Sequence, residues 1–187
     1  MGTLLDHWGP WTVDDVLALR EHPHGHRYEL LDGSLLVTPG PGVRHQRASF
    51  NLHTALASAA ARAAAEVEVF GAVAVRVPSG LLVPDLVVVK ACAVADDPPY
   101  VDAAAVVLVV EVVSPDRRRW DLGIKPGLYA EAGIARYWRV EVEPAPAVVA
   151  GVLTETGYVD TTVSPGTTAT VDEPFPITLD PAVLIRR

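Results

Sequence analysis

Apolar residues fall along this chain in two rhythms. Between Val43 and Val67 they form a long, alanine-rich stretch with no proline or glycine after Gly42, which predicts a helix. Elsewhere they come mostly in short, β-branched runs bounded by turn residues, which predict strands. Tyr28 to Leu31 and Ser34 to Thr38 flank Asp32-Gly33, a pair suited to a two-residue hairpin turn. Ala72 to Val77 and Leu81 to Val89, joined through Pro78-Ser79-Gly80, predict a second hairpin, and Ala105 to Val113 and Ile134 to Val142 predict further strands. Ala147 to Leu153 and Tyr158 to Val163 read as a terminal hairpin, with Phe175 to Leu179 as a last strand. Ahead of all these, Thr12 is placed to cap a short helix that carries Asp14 and Asp15 in its first turn and Val16, Leu17 and Leu19 on its apolar face.

Charged residues matter most where they break these runs. Pro84 has no amide hydrogen to give to a ladder, so its strand is expected to be interrupted or to lie at an edge there, and Asp85 follows it directly. Glu111 alone interrupts the run from Ala105 to Val113. Strands so uniformly apolar are buried on both faces, and a carboxylate held among them is costly unless a cation or hydrogen bonds compensate. If the two runs are neighbours, about 4.8 Å apart, both acids can reach one hard divalent ion. Read singly, Asp85 is a turn residue and Glu111 a strand-end acid facing water. Asp121, Lys125, Tyr129 and Gly133 recur at every fourth position, so neighbours in the set share a helix face, while Gly123, Pro126 and Gly127 place the helix start close to Lys125.

A chain of 187 residues, half of them hydrophobic, suits a single domain over residues 1–187. Its apolar runs are far shorter than the roughly 20 residues of a membrane span, and the expected location is the cytoplasm. The single cysteine, Cys92, makes no internal disulfide, and no Cys/His spacing reads as a zinc site. His22, His24 and His26 alternate in a Pro/Gly-containing tract that reads as a loop rather than a metal site. The net charge of -8 counts against unselective gripping of nucleic acid, because phosphate contacts need Lys or Arg. It is compatible with a local basic rim, for which Arg117, Arg118 and Arg119 are the best candidates after a solvated loop. Only two lysines occur, Lys90 and Lys125.

Pro84-Asp85, EVVSP from Glu111 to Pro115, the set Asp121, Lys125, Tyr129 and Gly133 followed by Tyr137-Trp138, YELLDG from Tyr28 and the histidine after PGPGVR, His45, together resemble the Uma-type restriction-endonuclease family of the PD-(D/E)XK nuclease superfamily. The resemblance covers roughly Trp11 to Val142. It implies an α+β fold with a restriction-endonuclease-like mixed sheet and flanking helices, in the core order helix-strand-strand-strand-helix-strand over about residues 43–142, with N-terminal and C-terminal hairpins added. It also implies a Mg²⁺-dependent DNA endonuclease, with Mn²⁺ as the other candidate ion, working as a homodimer. Asp85, Glu111 and the main-chain carbonyl of Val112 are the implied metal ligands, Glu29 a further acid, and His45 a residue near the active site and a candidate substrate contact.

The chain departs from the superfamily pattern at one place, since the residue two after Glu111 is Val113 rather than lysine. Lys125 is the substitute the family resemblance offers, returning from the following helix on a flexible stem. The alternative is a catalytically idle module in which the nuclease fold serves binding or assembly.

Overall fold

The computed structural model describes residues 7–19, 26–114 and 118–186. Helix α1 (Val13–Leu17) opens with a capping box: the Thr12 side chain accepts from the Asp15 amide, and the Asp15 carboxylate accepts from the Thr12 amide. Strands β1 (Arg27–Leu31) and β2 (Ser34–Thr38) form the expected hairpin, with both turn residues, Asp32 and Gly33, at positive φ. Helix α2 (Val43–Arg62) follows, then β3 (Val67–Gly71), β4 (Val75–Val77), β5 (Gly80–Leu82), β6 (Leu86–Lys90), β7 (Val101–Asp102) and β8 (Val106–Val113). A π-helical turn over Trp120–Ile124 leads into α3 (Lys125–Glu131), which ends before Gly133 at φ +72. The chain finishes with β9 (Arg136–Glu141), β10 (Ala147–Thr154), β11 (Gly157–Val163) and the small pair β12 (Ala169–Val171) and β13 (Ile177–Leu179).

Two larger sheets share one folded-back ribbon. Six strands lie in the order β11-β10-β9-β8-β6-β3, antiparallel except for the β8–β9 pair, and five lie in the order β2-β1-β5-β4-β7. The ribbon made of residues 67–90 changes sheet half-way. Its outer ends, β3 and β6, pair in the six-stranded sheet, while its middle, β4 and β5, pairs in the other. The run from Leu81 to Val89 is therefore two strands, broken at Val83-Pro84-Asp85, where Pro84 has no amide to donate. Gly80 turns the hairpin at φ +146, and a Cβ there would lie 2.3 Å from the Leu30 carbonyl oxygen, so β5 can press against β1 only with glycine at this point.

Residues alternate across the six-stranded sheet. Leu86, Val88, Leu108, Val110, Val112 and Trp138 pack against one side of α2, formed by Ala48, Leu52, Leu56 and Ala59. Val87, Val89, Val109 and Tyr137 face the opposite way, toward Tyr129 and Ile134 and the strands β4 and β5. Glu111 shares the parity of Val109, so its side chain points to the α3 side.

Two expectations need correcting. The long helix stops at Arg62, and Val67–Gly71 is a strand, since the helical alanine run masks the alternation that begins at Val67. The first strand of the core is thus β3 and not Ala72 to Val77, whose remaining part, β4, belongs to the other sheet. The order helix, three strands, helix, strand holds as α2, β3, β6, β8, α3 and β9. No helix among the described residues is long and apolar enough to cross a membrane.

Candidate active site

Beyond the end of β6, β8 continues with β9 as its one strand neighbour. The pairing of β6 with β8 ends at Leu86 and Val110, so the amide of Val112 loses a ladder partner on that side. The Asp85 carboxylate supplies one instead: its Oδ2 accepts from the Val112 amide at 2.8 Å. His45, in the first turn of α2, places Nε2 3.0 Å from the same oxygen, and Arg27 Nη1 donates to Oδ1 at 2.5 Å. Burial alone would raise the Asp85 pKa. The His45 bond and charge and the nearby Arg27 guanidinium outweigh it and hold the carboxyl at about 2.

The second half of the site is built around Lys125, the first residue of α3, which is only 2% exposed. Its ammonium lies 2.8 Å from Glu111 Oε1 and 3.0 Å from Glu29 Oε1. Tyr129, one turn further on α3, donates to Glu111 Oε1 at 2.7 Å. Glu29 Oε1 also accepts from the Val83 amide at 2.8 Å, at the point where the ribbon changes sheet. Burial pushes Glu111 up to about 8; Lys125 opposes this, and Asp85, Glu29 and Asp121 reinforce it. Burial acts to lower Lys125, but Glu111 and Glu29 overcome it and drive its pKa above the ordinary lysine value.

Asp85, Glu111 and Lys125 line one cavity of about 140 Å³, together with His45, Arg27 and Asp121. Glu29 reaches the group through Lys125. Arg118 and Arg119 do not line that cavity: Arg118 lies 3.5 Å from Glu141, and Arg119 borders a separate cleft with Trp120 and Ile124. Arg117, His22 and His24 fall outside the described residues.

Sequence reasoning missed Arg27 and gave Asp121 no place in the cavity. Arg27 precedes Glu29 by two on a strand, so the same alternation that aims Glu29 inward also aims Arg27 inward. That signal was legible but hidden beneath the histidine-rich tract.

The residues suit a small hard cation. Both hydrogen bonds to Glu111 go to Oε1, so Oε2 accepts none from the described residues, and added positive charge would offset the burial and, after it, the neighbouring acids that raise Glu111. No group of three His, Cys, Asp or Glu side chains gathers into a metal site among the described residues. An ion here would rest on two carboxylates, main-chain oxygen and water, the sparse protein ligation that suits Mg²⁺.

Residues 13–183 match the family model Uma2, described as "Putative restriction endonuclease". The chain belongs to the Uma2 family. Among solved structures it is similar to "a putative nuclease belonging to DUF820" from Anabaena variabilis ATCC 29413, with a TM-score of 0.72 and 16% identity over 94% of this chain and 98% of that one. At that identity the likeness establishes the fold, which is restriction-endonuclease-like as the sequence motifs implied. No functionally curated protein matches significantly.

Proposed function

We propose that this Uma2 protein is a Mg²⁺-dependent endonuclease hydrolysing phosphodiester bonds in DNA. Asp85, Glu111 and the Val112 carbonyl are the assigned ligands of the ion. The observation that carries the reading is the convergence of a buried lysine on Glu111 inside a cavity that also holds Asp85. A bound divalent ion supplies Lewis acidity for activating water and steadying the leaving oxygen.

The chain's own residues do the remainder. Lys125 holds a fixed positive charge beside the place where negative charge grows on the phosphorus oxygens, in a site with little water to screen it. Glu29 and Tyr129 fix the lysine and Glu111 against each other, so the charges need little rearrangement during reaction. Arg27 uses one N–H on Asp85 and retains others for a phosphate of the substrate.

The test is cleavage of supercoiled plasmid and of circular single-stranded DNA with Mg²⁺, Mn²⁺ or EDTA. The wild type is expected to cut only with metal, and Asp85→Asn and Glu111→Gln to be inactive. Undiminished cutting by both variants would refute the assignment. A second reading, the idle module, is favoured by one observation: both oxygens of Asp85 already have protein partners. Binding of Mn²⁺ read by electron paramagnetic resonance separates the two, because an idle site leaves the ion free.

A further inference from the structure

Asp85 and Arg27 also border a second cleft, of about 360 Å³, which Lys125 does not line. Its wall is the flank of α2 that carries Gln46, Ser49, Phe50 and His53, four residues on one side of the helix. Phe50 is 70% exposed, whereas the leucines of the same helix, Leu52 and Leu56, are fully buried. Ser49 is 9% exposed, lines the same cleft, and its Oγ has no hydrogen-bond partner among the described residues. An exposed ring on the wall of a cleft that a serine and a histidine also line is a combination that suits a flat, polar-edged ligand.

We infer that this cleft receives the base next to the cleaved phosphate, with the base unpaired and stacked on Phe50, so that the substrate is single-stranded DNA. The inference rests on the hydrolase reading and adds the form of the substrate to it. Three observations converge. The cleft shares Arg27 and Asp85 with the carboxylate cavity, so a strand whose phosphate lies at Arg27 has its next base within reach of α2. An exposed aromatic stacks on any base face, but it reaches that face only when the base is not enclosed in a duplex. Charge points the same way. The net charge is -8, and among the described residues Arg44, Arg76, Arg118, Arg136 and Arg139 are each paired with an acid, which ties up part of the positive charge that the many phosphates of a duplex footprint would need.

The full chain is titrated, with Ca²⁺ in place of Mg²⁺ to read binding without turnover, against a short fluorescein-labelled oligodeoxythymidine and against the same strand annealed to its complement. The single strand is expected to bind more tightly than the duplex. Phe50→Ala is expected to weaken single-strand binding by roughly 5- to 150-fold, with Phe50→Trp restoring it. Phe50 is exposed, so neither variant threatens the core, and unchanged circular dichroism and sedimentation are the controls. Tighter binding of the duplex, or equal single-strand affinity of wild type and Phe50→Ala, would overturn the inference. A shift of Phe50→Ala from dimer to monomer with DNA affinity unchanged would also overturn it and make this face a contact between copies. Single-strand binding through Phe50 without any cleavage in Mg²⁺ would sink the hydrolase reading alone; duplex cleavage indifferent to Phe50 would sink this one alone.

Discussion

The two carboxylates at the centre of the site are buried alike and charged differently. Asp85 is 5% exposed and Glu111 2%, yet the first is held at about 2 and the second is pushed up to about 8. Asp85 has a guanidinium, an imidazole and an amide on two oxygens. Glu111 shares one ammonium with Glu29 and has other acids around it. The difference lies in how many cationic and donor groups each acid owns, and it marks Glu111 as the member of the pair that lacks positive charge.

The largest break in this comparison is expected from Lys125→Met. Removing the ammonium leaves Glu29 and Glu111 buried together without a cation, and urea denaturation is expected to show a loss of about 3–5 kcal/mol. A loss below about 1 kcal/mol would mean that the ammonium is not what keeps the two acids together. The variant is also expected to cleave DNA about 10²- to 10³-fold more slowly than the wild type when assayed well below its unfolding transition.

Next comes the pH dependence of the metal-free protein. Glu111, with a folded pKa of about 8 above its ordinary 4.5, keeps its proton longer when folded; the stability from this group is full below about 4.5 and falls as pH rises to 8. Asp85, at about 2 below its ordinary 3.8, behaves oppositely, adding stability above 3.8 that is lost as pH falls toward 2. The melting temperature in EDTA is therefore expected to peak near pH 4–5, and Mg²⁺ to flatten the decline on the alkaline side. A decline equally steep in Glu111→Gln would assign it to another group.

Arg27→Gln sharpens the other half. Without the guanidinium, Asp85 is expected to titrate at a higher pH, followed by carboxyl carbon NMR, with Glu111 little moved. Equal upward movement of both acids would mean that the two halves are electrically one. The smallest effect is expected from Tyr129→Phe, which deletes a single hydrogen bond to Glu111 and is expected to cost about 1–2 kcal/mol by denaturation.

Much of this was legible in the chain because the signals are local. Thr12 and Asp15 sit at cap spacing, Asp32-Gly33 names its own turn, and Pro84 marks a ladder break whatever lies beside it. Lys125 and Tyr129 are one helical turn apart, so their common aim follows from spacing alone. What was hidden depends on partners distant in sequence. Nothing between Val67 and Lys90 says that the ribbon changes sheet, because each half pairs with a different neighbour. The strand at Val67 was masked by alanines that favour helix, and the approach of Arg27 to Asp85 spans 58 positions.

The change of sheet has a consequence for genetics. Two main-chain amides, at Val83 and Val112, have acids as stand-ins for a missing strand. Truncating Asp85 or Glu29 to alanine strips a buried amide of its acceptor, a cost of about 1–3 kcal/mol that has nothing to do with turnover. A colony that loses its phenotype on such a truncation reports a weakened scaffold as readily as a silenced enzyme, and only replacements that keep an oxygen in place can tell the two apart.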